Sequence, residues 1–376
     1  MVKSFIKKIA NKHLIWQSKK NSDSFYSNAI RYNPQLREKA VGEEKWLEKW
    51  KQFDSRLSPM AFRIFSRYIG PNMDIVPLEI CTTICEPVLT PYNFNFFYSD
   101  KNSFDILFPQ GTLPKTLLRK IRGKWFDSNY APITHEIINQ YINSFEDNEI
   151  IVKPSRSSSG KGVEKFSRKN NSYINANGEQ LTLSFLDKGY PFNCIIQVAF
   201  SQHSFLAKFN PTSVNSIRIV TYRDSAGVIH PLNSFLRIGA SGSVVDNAHA
   251  GGMFIGVDSG GKLGKYVCDQ FGRTSQVFNN IDFSKESFVV PNWKAINNKV
   301  IELSKYIIHH DLIAWDAVLD IDGIPHILEV NIGGYGGWAF QFTSGPMFGD
   351  YTDDVMKTSL QRMKETELKM MFIRKQ

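Results

Sequence analysis

Residues 313–331 read Ile-Ala-Trp-Asp-Ala-Val-Leu-Asp-Ile-Asp-Gly-Ile-Pro-His-Ile-Leu-Glu-Val-Asn, and the pairing within this stretch decides the fold. Asp322-Gly323 is a two-residue hairpin signal between strand-forming apolar runs. With those two residues as the turn, Ile321 faces Ile324, and counting outward sets Asp316 opposite Glu329. Theirs is a non-hydrogen-bonded pair, where side chains come closest. Asn331 follows Glu329 on the same face. Ala317, Leu319, Ile321, Leu328 and Val330 make the other, core-forming face. Pro325 fits because its missing N–H points away from the partner strand.

Two carboxylates opposed on a sheet repel unless a cation lies between them. Two carboxylates and a carboxamide, all oxygen donors, suit Mg²⁺ shared with a phosphate chain. An ordinary hairpin with two solvated acids at its open end satisfies the same pairing, so the choice rests on the rest of the chain.

At 376 residues the chain is too long for one small core, and two domains or subdomains are expected. Its 42% hydrophobic content, 13% aromatic, excludes a disordered protein. Four cysteines, Cys81, Cys85, Cys194 and Cys268, make no disulfide framework or zinc site, which points to a reducing, cytoplasmic compartment. No apolar run approaches the roughly 20 residues of a membrane span. Residues 1–20 hold six lysines and no acid, and without them the net charge falls from +9 to +3. This is not the distribution of a nucleic-acid binder. The basic segment carries a weak apolar stripe (Val2, Phe5, Ile6, Ile9, Trp16). It suits either a helix packed on its own protein or peripheral contact with the inner face of a membrane.

Residues 43–54 read as a helix. A second helix is punctuated by Ser58, Pro59 and Gly70-Pro71. Prolines at 77, 87 and 91 predict strands and loops from 75 to 97. Residues 1–98 thus form a mostly helical preface without recognisable chemistry. The pattern then predicts helices over 112–123 and 134–144, and strands at 149–153, 193–199, 217–223, 227–238 and 252–257. A turn falls at Asn177-Gly178, and an amphipathic helix is capped by Asn292. Strands and helices interleave irregularly, so the class is α+β. Residues 99–198 and 199–376 are the expected subdomains.

Residues 150–163, Ile-Ile-Val-Lys-Pro-Ser-Arg-Ser-Ser-Ser-Gly-Lys-Gly-Val, are an apolar strand ending in Lys153, then a Ser/Gly loop whose backbone N–H groups can converge on phosphate oxygens. The Walker spacing is absent, and a plain surface hairpin fits the loop equally. Ser99-Asp100-Lys101 supplies a second lysine. In Cys194–Ala199 one polar residue, Gln197, interrupts an apolar run. This suits an adenine slot with Gln197 and the Val198 backbone on the base edge, or simply an exposed residue on a half-buried strand.

This order of motifs, continued by Asn210–Thr221, Asp246-Asn247, Gly251-Gly252, Trp315-Asp316 and Glu329-Val330-Asn331, resembles the ATP-grasp superfamily, and within it the sugar-transfer-associated ATP-grasp family. The resemblance covers roughly residues 95–350. It implies two α+β subdomains gripping ATP. Lys101 and Lys153, with the loop Ser157, Ser158, Ser159 and Gly160, would hold the phosphates. Gln197 and Val198 would meet adenine, and Asp316, Glu329 and Asn331 would bind Mg²⁺. Arg218, as a catalytic residue, would face the γ-phosphate or the acyl-phosphate formed from it. The loop is richer in serine than in many relatives, and no acid follows the hinge strand to hold ribose, so Gln202 or His203 would substitute. Asp246, Asn247, His249 and the Gly333–Gly337 segment are candidates for the acceptor site, Asn247 as a catalytic residue.

The activity so implied is Mg·ATP-dependent joining of a carboxylate acceptor to an amine donor through an acyl-phosphate. It would act on a sugar acid of a cell-surface polysaccharide or its precursor, with an amino acid as a candidate amine. The task is positioning and charge neutralisation. No Ser/His/Asp or Cys/His grouping suggests a nucleophile. A kinase transferring phosphate to a hydroxyl, and a non-catalytic nucleotide-binding module, are the alternative functions.

Overall fold

The computed structural model describes residues 2–157, 160–243, 246 and 251–365. Two antiparallel sheets organise it. Strands β1 (Thr116–Ile121), β2 (Lys124–Asp127), β3 (Pro132–Ile133), β4 (Glu149–Pro154), β5 (Glu164–Lys169), β6 (Ser172–Asn175) and β7 (Cys194–Val198) pair in the order β3-β2-β1-β7-β4-β5-β6. The second sheet takes β8 (Ile217–Arg223), β9 (Ile229–Ile238), β10 (Met253–Val257), β11 (Val267–Cys268) and β12 (Thr274–Ser275). After a small hairpin of β13 (Val277–Phe278) and β14 (Ile281–Asp282), it adds β15 (Leu312–Leu319) and β16 (Pro325–Asn331). Its order is β12-β11-β10-β9-β8-β15-β16.

Side-chain alternation gives the second sheet two apolar faces. Ile217, Ile219, Ile313, Trp315 and Ala317 pack on helix Trp293–Ser304. Val220, Tyr222, Phe235, Phe254 and Ala314 face the N-terminal helices and helix Gly337–Thr343. The preface is therefore part of the core of this sheet: Trp46, Trp50, Phe62 and Phe65 are fully buried there. The first sheet has its own core around Leu118, Ile150, Val152, Phe166 and Ile196. Among the described residues no helix is long and apolar enough to cross a membrane. Trp16 is 57% exposed on helix Val2–Tyr32; the side chains of Val2, Phe5, Ile6 and Ile9 lie outside the described residues.

Four expectations need correction. Residues 112–123 are not a helix; half of them, Thr116–Ile121, form β1. Arg119 and Lys120, which make the segment look solvent-facing, are buried (0% and 3% exposed). They are neutralised by Asp105 (2.7 Å) and Asp187 (2.6 Å). Residues 75–97 are largely helical, through Leu78–Ile80, a π-helical turn at Cys81–Cys85 and Glu86–Leu89. Pro77 precedes the first turn, where a missing N–H costs little, and Pro87 lies just after the π-helical turn. The Thr83 and Thr90 hydroxyls donate back to the Glu79 and Glu86 carbonyls, at 2.6 and 2.7 Å. Asn292 precedes its helix in a left-handed conformation (φ 52°) without a side-chain cap; its amide donates to the Gly323 carbonyl (2.8 Å) and ties the helix to the hairpin tip.

The fourth correction concerns that tip. Leu319 pairs with Pro325 and Ala317 with Ile327, so the loop is one residue longer than Asp322-Gly323, with Gly323 at φ 80°. A bulge at Leu328 then restores the count, and Asp316 does pair with Glu329. Two offsetting irregularities give the expected register. Leu328, left unpaired at the bulge, packs against the core as expected and also lines the cleft between the sheets. Ile321, expected in the core, is 67% exposed at the loop.

Candidate active site

Between the two sheets lies a cleft of about 410 Å³. Its floor is one face of the second sheet. Register sets Phe235 beside Arg218, Arg218 beside Asp316, and Asp316 beside Glu329. Arg237 stands two residues from Phe235, and Asn331 two from Glu329, on that same face. Four adjacent strands thus present a continuous row of charged side chains.

Each carboxylate in the row has its own cations. Asp316, 1% exposed, takes a bidentate pair from Arg218, with Nε at 2.5 Å and Nη2 at 3.1 Å. Arg237 Nη2 (3.0 Å) and Asn331 Nδ2 (3.2 Å) also donate to it. Burial acts to raise the Asp316 pKa, but Arg218 and Arg237 outweigh it and hold the group below its ordinary value. Glu329 accepts from Lys101 Nζ at 2.9 Å. Lys101 is 7% exposed and sits in a short turn capped by Asp100, whose side chain accepts from the Asn102 N–H. Asp246 accepts from the Ser216 N–H (3.0 Å) and hydroxyl (2.6 Å), and pairs with Arg237 at 3.2 Å. The mutual repulsion expected of Asp316 and Glu329 is therefore absent.

The roof comes from the first sheet. β4 carries Lys153 as its next-to-last residue, and its loop turns into β5 rather than a helix. Burial, and then the charge of Lys101, push Lys153 down to about 8. Ser157 and Gly160 (φ 69°) line the cleft; Ser158 and Ser159 lie outside the described residues, as do Asn247 and His249. Ile151, Val163, Val198, Phe200, Met253 and Leu328 supply apolar walls.

The cleft thus gathers Lys101, Lys153, Ser157, Gly160, Gln197, Val198, Arg218, Asp246, Asp316, Glu329 and Asn331. Some details differ from expectation. The Gln197 amide donates to the Pro114 carbonyl (3.1 Å) and the Thr116 hydroxyl (3.2 Å). The Val198 N–H donates to Lys115 O (2.9 Å), so that strand donor is committed to the fold. His203 does not reach the cleft: its Nδ1 accepts from the Phe205 N–H (3.1 Å) as a helix cap. Gln202 is spent on Asn210, Ser213 and Asn215. Sequence reasoning missed Arg237. Its signal was a lone cation between Leu236 and Ile238, inside an apolar strand.

The donor chemistry fits Mg²⁺. Asp316 Oδ1 takes one hydrogen bond, from Arg218 Nε, Glu329 has a second carboxylate oxygen, and the Asn331 amide donates through Nδ2, leaving Oδ1 as its ligand atom. Mg²⁺ typically takes one or two carboxylates and completes its octahedron with water and phosphate oxygens. Among the described residues no group of three His, Cys, Asp or Glu is placed to hold a metal ion. Among the described residues four cations against three carboxylates line the cleft, a net positive balance that favours an anionic ligand.

No curated protein matches the chain significantly by sequence. Among solved structures it is similar to a D-alanine–D-alanine ligase from Bacillus anthracis: 13% identity, 76% of this chain and 71% of that one covered, TM-score 0.36. It is also similar to the D-cycloserine synthetase DcsG: 12% identity, 75% and 74% covered, TM-score 0.40. The sequence profile of the sugar-transfer associated ATP-grasp family matches residues 100–354, and the chain belongs to that family.

Proposed function

We propose that this protein is a Mg·ATP-dependent carboxylate–amine ligase that works through an acyl-phosphate on a sugar acid of a cell-surface polysaccharide or its precursor. The family supports an ATP-dependent ligase in the broad sense. The observation that carries the finer reading is the row Arg237–Arg218–Asp316–Glu329 facing Lys101 and Lys153 across one cleft.

Lys101 and Lys153 would hold the phosphate chain. Mg²⁺ on Asp316, Glu329 and Asn331 would neutralise phosphate oxygens. The acceptor carboxylate attacks the γ-phosphorus, the bond to the β-bridging oxygen breaks, and ADP leaves. Arg218 and Arg237 stand beside the charge that moves. The neutral amine nitrogen then attacks the acyl carbon, the acyl–oxygen bond breaks to release phosphate, and the nitrogen loses one proton to give the amide. The lysines of residues 1–20 other than Lys19, which pairs with Asp54, would bring the protein to an anionic membrane face.

The test is to offer uronic acids with ATP, Mg²⁺ and hydroxylamine. The expected result is ADP release with formation of the acid's hydroxamate, detected by mass. A stable phosphate ester on an acceptor hydroxyl would instead establish a kinase.

Lys153 makes ATP binding pH-dependent. Its ammonium must be charged to hold phosphate, and bound phosphate raises its pKa above the free value of about 8. ATP affinity should then be flat below pH 8 and fall above it by roughly tenfold per pH unit, with uptake of about one proton. Lys153→Ala should abolish this dependence and weaken binding by about 1.5–3 kcal/mol. Calorimetry at pH 7 and 9.5 in two buffers checks both; an equal affinity for wild type at the two pH values would remove Lys153 from the phosphates.

A further inference from the structure

A second cavity, about 470 Å³, adjoins the cleft. The N-terminal helix contributes Ser18, Asn21 and Phe25, the π-helical turn contributes Cys81 and Thr82, and Trp338 closes one side. Gly334, Gly336 and Trp338 line this cavity and the cleft alike. Between Asn331 and helix Gly337–Thr343, then, the partition is largely bare backbone. Gly334 (φ 65°) and Gly336 (φ 76°) take conformations that side-chain-bearing residues resist. A Cβ at Gly334 would meet nothing within 4 Å, so it is this backbone path, not crowding, that calls for glycine.

Glu86 lines the cavity and is 8% exposed. Its placement follows from the π-helical turn: the Glu86 N–H bonds to the Cys81 carbonyl, five residues back, which widens the helix where it meets the cavity. The Gly334 backbone N–H faces its carboxylate and acts to lower its pKa, and no ion pair among the described residues includes it. The titratable groups facing it are Cys81, Cys85, Tyr92 and Tyr335, all held neutral by burial. A carboxylate in an apolar cavity with no cation against it, as holds here among the described residues, is costly to keep charged; burial pushes Glu86 up to about 7. A bound ammonium group would supply the missing charge.

We propose that this cavity receives the amine substrate of the ligase, a primary amine on an apolar body, with Glu86 as the receptor for its ammonium group. The use of that amine rests on the ligase reading; its binding rests on the cavity alone. In turnover the ammonium passes one proton to the Glu86 carboxylate and the neutral nitrogen bonds to the acyl carbon. The acyl–oxygen bond to phosphate breaks, and the second proton leaves with inorganic phosphate.

The test uses hexylamine, hexanol and hexanoate as cationic, neutral and anionic probes of one length. Each is titrated into the full-length protein at pH 8 without nucleotide and followed by ligand-observed NMR. Hexylamine should bind roughly tenfold tighter than hexanol, with hexanoate weakest, as expected of a charge-assisted contact. Glu86→Gln, nearly isosteric, should erase the preference for the amine while leaving hexanol binding unchanged. Thr82→Trp, at an exposed position on the rim, should weaken all three. Equal affinities for hexylamine and hexanol in wild type, or a preference that survives Glu86→Gln, would overturn the proposal. ATP affinity, measured separately on the same proteins, keeps a failure of the nucleotide reading distinct from a failure of this one.

Discussion

Glu329→Gln is expected to abolish turnover and to remove nearly all of the stabilisation that Mg·ATP gives the wild type. Glu329 contributes a charge to two partners in turn. Without ligand it holds Lys101 at 2.9 Å; with Mg·ATP it would face the metal while Lys101 turns to phosphate. Gln still accepts a hydrogen bond from Lys101, but as a neutral group, so the ligand-free variant should lose about 1–3 kcal/mol. Ligand binding to the native state raises stability by mass action, about 2.7 kcal/mol at a hundred times Kd. Thermal melts of both proteins with and without Mg·ATP measure this. An equal upward shift in the two would contradict the metal assignment.

Asp316→Asn should have the largest effect on stability. The Asp316 carboxylate accepts from Arg218, Arg237 and Asn331 in a setting where it is 1% exposed. Neutralising it leaves two guanidinium groups partly uncompensated beneath the cleft, and breaking a buried pair in this way typically costs about 3–5 kcal/mol. The same pairing fixes the sign of the pH effect. The folded pKa of Asp316 lies below its ordinary value. Its contribution is therefore present above the unfolded carboxylate range, near pH 4, and is lost as pH falls through the folded pKa. Urea unfolding at pH 7 and pH 3 should show the wild type losing more stability than the variant. Equal losses would mean that Arg218 and Arg237 do not depend on this charge.

How much of this was legible in the sequence differs by element. Strands β8 and β9 and the Lys153 loop follow from alternation and punctuation, which are local. The Asp316–Glu329 register was legible too, although it arises from a longer loop and a bulge at Leu328 that leave no separate mark. What failed was non-local. Arg119 and Lys120 turn β1 into an apparent amphipathic helix because their partners, Asp105 and Asp187, meet them only in the folded chain. Lys101 is paired with Glu329 across 228 residues, so the apparent repulsion between the two acids could not be discounted from the hairpin alone. His203 offered a plausible side chain for a ribose contact, but its ring is taken by the helix it caps. Glu86 carried no motif at all. Its significance lies in a cavity assembled from helices at both ends of the chain.

The central claim is that the cleft joins a carboxylate to phosphate before any amine arrives. It is tested most directly by isotope transfer, using the acid that the hydroxamate screen selects, labelled with ¹⁸O in its carboxyl group. After turnover with ATP, Mg²⁺ and an amine, one ¹⁸O atom should appear in each inorganic phosphate released. Phosphate free of label, with product formed, would contradict the acyl-phosphate route and with it the account given of Arg218, Arg237 and the two lysines.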